Sequence, residues 1–279
     1  VSWRIHICHR SGYRYRAEVR SSYNEARITP LTTLHQTVTE AVVEVSPAAH
    51  TMRYWDYWGT LVDAFDLQVP HTEMTVTGTS VVDTTGPQDT PQIEWAGLRD
   101  PATTDRFSEL LVPSPFVPVV DEVAEAGRSL AADRSPADAC QGAVEWVRDR
   151  LRYEPGTTSV STSALEALEQ GSGVCQDFAH LTLSLLRSMG IPARYTSGYL
   201  HPSPQADLGA VVTGQSHAWV EAWTGDWHGL DPTSGEPAGE RHVIVGRGRD
   251  YADVPPLKGI YHGGPAEALG VTVELTRLA

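Results

Sequence analysis

An α+β chain in two parts is what the sequence predicts, on three observations. Residues 13–85 alternate between apolar and polar with period two. A connection dense in proline and glycine follows. Beyond it, apolar residues recur at helical spacing behind N-cap residues, and strand-like patterns then return. The expected plan is an antiparallel β-sandwich-like domain over residues 1–90, a linker over 91–115, and a helix cluster packed on an antiparallel sheet over 116–279.

Taken in order, residues 13–19 and 37–45 hold the period-two pattern, and residues 54–62 read as two strands meeting at a turn near Gly59. Residues 72–82 are rich in β-branched side chains, so five or so strands precede any helical segment. The aromatic cluster Tyr54, Trp55, Tyr57 and Trp58 is expected to serve core and rim packing. Residues 84–91 are turn formers, and Pro113, Pro115 and Pro118 punctuate the entry to the second part. Ser135, Pro136 and Asp138 supply an N-cap, a first-turn proline and a first-turn acid. Ser163-Ala164-Leu165-Glu166 spells a capping box for a short helix ended by Gly171. A helix starting at Cys175 puts Phe178, Leu181, Leu185, Leu186 and Met189 on one face and stops at Gly190, before Pro192. Residues 193–200, 216–223, 227–231 and 241–245 read as strands.

Composition excludes several classes of function. A formal charge of −14 weighs against nucleic acid or an anionic membrane as the main partner. No apolar stretch is long enough to span a bilayer. Residues 1–6 lack the apolar core of a secretory signal. Cys8, Cys140 and Cys175 form no C-x-x-C pair, so neither a structural zinc site nor a thioredoxin-like motif is expected, and a reducing, cytoplasmic setting is. Cys8 and Cys140 are read as structural. No calcium-loop pattern occurs, and neither a metal nor another cofactor is expected.

The chemistry-bearing residues lie in three short stretches. Gly171-Ser172-Gly173-Val174-Cys175-Gln176-Asp177 feeds a thiol into the first turn of a helix, where unpaired N–H groups and the helix dipole favour a thiolate. Ser216-His217-Ala218-Trp219-Val220-Glu221 is a strand carrying a histidine, and Asp226-Trp227-His228-Gly229-Leu230-Asp231-Pro232 ends on a carboxylate. Cysteine, histidine and aspartate together are the inventory of an activated-thiol enzyme: nucleophile, base and orienter. Asp177 is explained by capping of the helix, and the Cys175 N–H is the natural oxyanion donor, with Gln176 and Tyr153 as candidates for the second. The competing histidines, His180 and His228, are expected to pack or bond locally. Two other classes stay open: a zinc hydrolase ligated by Cys175, His217 and Asp231, and a non-catalytic peptide-binding module.

The three stretches, GSGVCQDFAHL, SHAWVEAW and DWHGLDPTSG, resemble the motifs of the transglutaminase-like cysteine enzyme superfamily, in the right order and about forty and then about fourteen residues apart. The resemblance extends to the β-rich segment ending near residue 85 and to residues 248–256, as in bacterial two-part members. It implies a papain-like, transglutaminase-like core, a thioester acyl-enzyme on Cys175, His217 as general base and acid, and Asp231 holding its tautomer. It assigns the base role to neither His180 nor His228. Arg249, Asp250 and Asp253 match a further motif, read either as a substrate-terminus site or as loop-locking ion pairs. The expected substrate is a peptide or protein. Hydrolysis of an amide is favoured over transfer to an amine, because water needs no second binding site.

Overall fold

The computed structural model describes residues 2–87 and 89–279; Val1, and Gln88 within the turn-forming stretch 84–91, lie outside the described residues. Six strands come first: β1 (Ser2–Val19), β2 (Ser21–Ala26), β3 (Gln36–Ser46), β4 (Thr51–Trp55), β5 (Leu61–Leu67) and β6 (His71–Thr85). Three short helices follow, α1 (Trp95–Leu98), α2 (Pro101–Arg106) and α3 (Ser108–Leu111), then the longer α4 (Asp121–Ala132) and α5 (Pro136–Arg150). Strand β7 (Arg152–Tyr153), α6 (Ala164–Gln170), β8 (Ser172–Gly173) and α7 (Cys175–Ser188) lead to the sheet strands β9 (Ala193–Leu200), β10 (Val211–Gly214), β11 (Ser216–Trp223), β12 (Trp227–Asp231), β13 (Glu236–Pro237) and β14 (His242–Gly248). The chain closes with β15 (Leu257–His262) and β16 (Ala266–Arg277).

Apart from the parallel pair β7–β8, these strands form three antiparallel sheets. The first runs β10-β16-β1-β6-β3, the second β15-β2-β5-β4, and the third β13-β12-β11-β9-β14. The 18-residue β1 explains how they join. Its odd-numbered residues are buried along most of its length, as strand geometry requires of a half-covered sheet. One end of that face, Trp3, Ile5 and Ile7, packs with Tyr199, Val243 and Val245 of the third sheet. The other end, Tyr15 and Val19, packs with Phe65 and Leu67 of the second. A single apolar stripe therefore belongs to two cores, and the β-sandwich is fused to the sheet that carries His217.

The third core surrounds α7. Its Leu181, Leu183 and Leu185 pack with Val123 and Leu130 of α4, Val144 and Val147 of α5, and Ala218 and Val220 of β11. The helix is almost wholly buried; Thr182 Oγ1 donates to the Phe178 carbonyl at 2.8 Å, and Arg187 donates to the carbonyls of Ala193 and Val112 at 3.2 and 3.3 Å. The expected caps of α5 and α6 are present, and Gly171 closes α6 with a φ of 69°.

The expected division of the chain differs from the observed one in two places. Residues 91–115 carry three short helices; their Leu98 and Leu110, and Phe107 at the turn between α2 and α3, are buried, with the Phe107 and Trp223 ring centroids 4.9 Å apart. Turn-rich punctuation masked these helices, each being too short to show a period. Residues 116–279 are not one unit either: β10 and β16 extend the first sheet and β15 the second, because an edge strand is satisfied by whatever alternating segment can reach it. Strand β10 runs through Gln215 directly into β11, so the strand bearing His217 starts in the first sheet and continues in the third.

Candidate active site

Cys175 is the first residue of α7, and what precedes it is built to hold it there. Strand β8 pairs in parallel with β7, Tyr153 opposite Gly173. Asp177 Oδ2 accepts the Val174 N–H at 2.8 Å and the Thr158 hydroxyl at 2.6 Å, capping the helix and tethering the loop before it. A Cβ at Gly173 would lie 2.6 Å from that same oxygen, so the glycine is what lets the carboxylate fold back. Burial raises the Asp177 pKa against the effect of these donors. Asp177 is thus a cap, as its position in the sequence suggests.

His217 pairs with Gly198 across β9. A side chain at Gly198 would strike the Val243 carbonyl and the Trp219 ring, at 2.0 and 2.7 Å. Its absence lets Trp219 lie in the sheet and stack at 6.0 Å from the His217 ring. The His217 Nε2–H donates to Asp231 Oδ2 at 3.0 Å, and the ring lines the same cleft as Cys175. Burial alone would lower the His217 pKa, but the bonds and charges of Asp231 and Cys175 outweigh it and push the pKa up to about 10.

Asp231 is fully buried and saturated with donors. Oδ1 accepts the Thr233 N–H at 2.9 Å; Oδ2 accepts Ser234 Oγ–H at 3.0 Å and His242 Nε2–H at 3.4 Å besides His217. Burial opposes its ionisation, yet His217 and His242 hold the carboxyl well below the usual carboxylate range. Arg148 of α5 bonds the Thr233 carbonyl and so fixes the turn after β12.

His242 is the site residue that the sequence reading missed. Its Nδ1 accepts the Gly239 N–H at 3.1 Å, which leaves the proton on Nε2, facing Asp231. The only signal in the sequence was a histidine near the start of the strand predicted over 241–245, which is common in any fold. His217, Asp231 and His242 bring one potential ligand atom each within 4.8 Å of one another. A histidine that ligates a metal through Nε2 carries its proton on Nδ1. In His242 that proton would meet the Gly239 N–H head-on, so the trio suits a hydrogen-bonded chain and not a metal.

The remaining candidates separate clearly. Tyr153 lies at the mouth of the site, half exposed, its pKa raised by burial and by the charges of Cys175 and Asp231. The Gln176 side-chain amide donates to the Val160 carbonyl at 3.1 Å. His180 is buried between Phe116 and Tyr195, accepts the Tyr251 N–H at 3.2 Å, and is lowered by burial and Arg187 to a pKa of about 3. His228 bonds Thr224 Oγ1 at 3.4 Å, away from the thiol. Arg249 and Asp253 form a two-pronged ion pair at 3.0 Å, and Asp250 caps the Ala252 N–H at 2.8 Å, so these three lock a loop.

Among known proteins, the model of the transglutaminase-like superfamily matches residues 124–232, and that of the bacterial transglutaminase-like N-terminal region matches residues 5–83. An uncharacterized protein of Mycobacterium leprae is 51% identical over 99% of this chain and 100% of its own length. One of Mycobacterium tuberculosis is 33% identical over 98% of this chain and 92% of its own. A Pseudomonas aeruginosa protein named protein-glutamine gamma-glutamyltransferase is 31% identical, over 50% of this chain and 23% of its own length. A Cytophaga hutchinsonii crystal structure, described as that of a candidate cysteine protease, superposes with a TM-score of 0.80 at 22% identity, covering 100% of this chain and 92% of that one, which shows the shared fold. The chain belongs to the transglutaminase-like superfamily, in the form that carries the bacterial transglutaminase-like N-terminal region.

Proposed function

We propose that the protein cleaves a peptide, isopeptide or other amide bond through a thioester on Cys175. The observation that carries this reading is the placement of His217, bonded to Asp231 and lining the same cleft as Cys175. A histidine held protonated beside a thiol stabilises the thiolate, which attacks the amide carbonyl carbon. The Cys175 N–H, which has no acceptor within the helix, and the Tyr153 hydroxyl are the donors we assign to the resulting oxyanion. The tetrahedral adduct collapses, the C–N bond breaks, and His217 gives its proton to the leaving nitrogen. His217 then takes a proton from water as water attacks the thioester, releasing the carboxylic acid and restoring the thiol–imidazole pair. Asp231 and His242 move no proton; they hold the His217 tautomer.

The relative named for gamma-glutamyl transfer favours a second reading, in which a primary amine replaces water at the thioester. The chemistry before that step is identical. Incubating the protein with a peptide library, with and without a primary amine, separates the two by product mass. Hydrolysis adds water across the cleaved bond; transfer adds the amine with loss of the original leaving group. The Cys175→Ala protein should give neither product, and activity that survives this substitution would remove the thiol from the mechanism. No described helix is long and apolar enough to cross a membrane, and the three unpaired cysteines support a cytoplasmic setting for the proposed enzyme.

A further inference from the structure

Cys175 and His217 open onto a cleft of about 760 Å³, within the ~300–1,000 Å³ range of sites that enclose a drug-sized ligand. One wall comes from the thiol-bearing part, with Tyr153, Val160 and Tyr251. The other comes from the first sheet, where β1 and β16 lie side by side and offer Tyr13 and Val271. This ribbon is shaped for the purpose. The pairing of β1 with β16 shifts register between Ser11 and Tyr13, and Gly270 turns with a φ of 83°, so the strands bend where they face the thiol.

The composition of the cleft is the informative feature. A fifth of the chain is Asp, Glu, Lys or Arg, yet none of these lines the cleft among the described residues. Away from the Cys175–His217 pair its polar side chains are neutral, Ser197, Gln215 and Ser216 among them. Such groups satisfy backbone amides and carbonyls without offering a counter-charge. A charged substrate side chain placed there would leave water without meeting an Asp, Glu, Lys or Arg partner among the described lining residues. An apolar or aromatic side chain would instead be covered by tyrosine and aliphatic surface.

We propose that this cleft binds an uncharged peptide segment with apolar or aromatic side chains flanking the scissile amide, and that the β1–β16 ribbon is the wall that selects it. The inference rests on the thiol reading for its chemistry, but not for the binding. Val271 is 55% exposed and opposite Ser11, so its side chain can be changed without opening a core.

The test uses the full chain and fluorescein-labelled decapeptides that differ only in the central pair: Phe-Leu, Glu-Glu or Lys-Lys. The wild-type protein should cleave the Phe-Leu peptide with a kcat/KM at least about tenfold above the charged pair. Val271→Glu should lower that value about tenfold, mainly through KM, while Val271→Lys should bring the Glu-Glu peptide up by a similar factor. If all three peptides are cleaved within twofold of one another, or if neither Val271 substitution alters the ranking while Cys175→Ala abolishes cleavage, the cleft proposal fails and the thiol reading stands. If no peptide is cleaved, or cleavage survives Cys175→Ala, the thiol reading fails instead. Fluorescence anisotropy of the same peptides on the Cys175→Ala protein then decides the cleft alone: a preference for Phe-Leu that Val271→Glu removes supports it, and equal binding of all three overturns it.

Discussion

The wall that carries Cys175 and the wall that faces it are held by different forces. On the first, position comes from hydrogen bonds between buried polar groups: Asp177 on Val174 and Thr158, and Asp231 under His217, His242, Ser234 and Thr233. On the second, position comes from strand pairing and from the apolar residues that flank the cleft on the same face of β1, which leave Val271 more than half exposed. A buried donor that loses its acceptor costs about 1–3 kcal/mol, whereas exchange of a half-exposed aliphatic side chain usually costs under ~0.5. The difference teaches that chemistry and selectivity are separable here. Substitutions on the first wall should damage turnover and stability together, and those on the second should change preference.

The largest effect expected is from breaking the first wall at its centre. Cys175→Ala removes the group that forms the covalent bond, and His217→Ala removes its base; each should lower kcat/KM by roughly 10⁴-fold or more. The double variant should fall little further, because both act on one step. A double variant whose loss equals the product of the single losses would show two independent contributions and dissolve the dyad.

Asp231→Asn should come next, short of the cysteine variant, because Asp231 orients the base and forms no covalent bond. The amide has one acceptor oxygen for the donors now shared between two, so either His217 or Thr233 loses its partner. A melting temperature unchanged from wild type would contradict that account even if activity fell. Smaller again is His242→Ala, expected to lower kcat about tenfold with KM held, since the group only steadies Asp231; His242→Gln, which can donate to the same oxygen, should recover part of the loss.

The pH dependence of stability sharpens the same contrast. The folded pKa of His217 lies above its unfolded value of ~6.5, so the stability it contributes is complete below pH ~6.5 and fades as the pH rises towards 10. For His9 and His180 the sign is opposite: burial lowers their pKa values to about 4 and about 3, and their contribution is present above pH ~6.5 and lost as the pH falls through those values. The melting temperature of wild type relative to His217→Gln should therefore narrow from pH 6.5 to 10. A constant gap across that window would place the protonated ring outside the folded state.

The smallest effect on activity, and a sizeable one on stability, is expected at the shared stripe of β1. Ile5→Ala should cost about 2–5 kcal/mol and should destabilise the sandwich and the sheet bearing His217 in one transition. Two separate melting steps would restore the sandwich as an independent domain.

Local physics made much of this protein legible in its sequence. The caps at Ser135 and Ser163, the glycine stops at Gly171 and Gly190, and the helix opening at Cys175 depend on residues within one or two turns of each other, and each stands where the sequence puts it. Alternation likewise marked most strands before residue 85, and β9, β11, β12 and β14 beyond residue 193, but not β10, β13, β15 or β16. What it left open was partnership. Period two says that a strand has one apolar face but not which surface covers it, so nothing in residues 266–277 announced that they would lie against β1. The same limit hid His242: its bond to Asp231 joins residues on different strands, and only the packed sheet brings the two atoms to 3.4 Å. The uncharged cleft is of that kind as well. Its walls lie more than a hundred residues apart in sequence, at Tyr13, Tyr153 and Val271, and the absence of charge becomes visible only once folding has set them around one thiol.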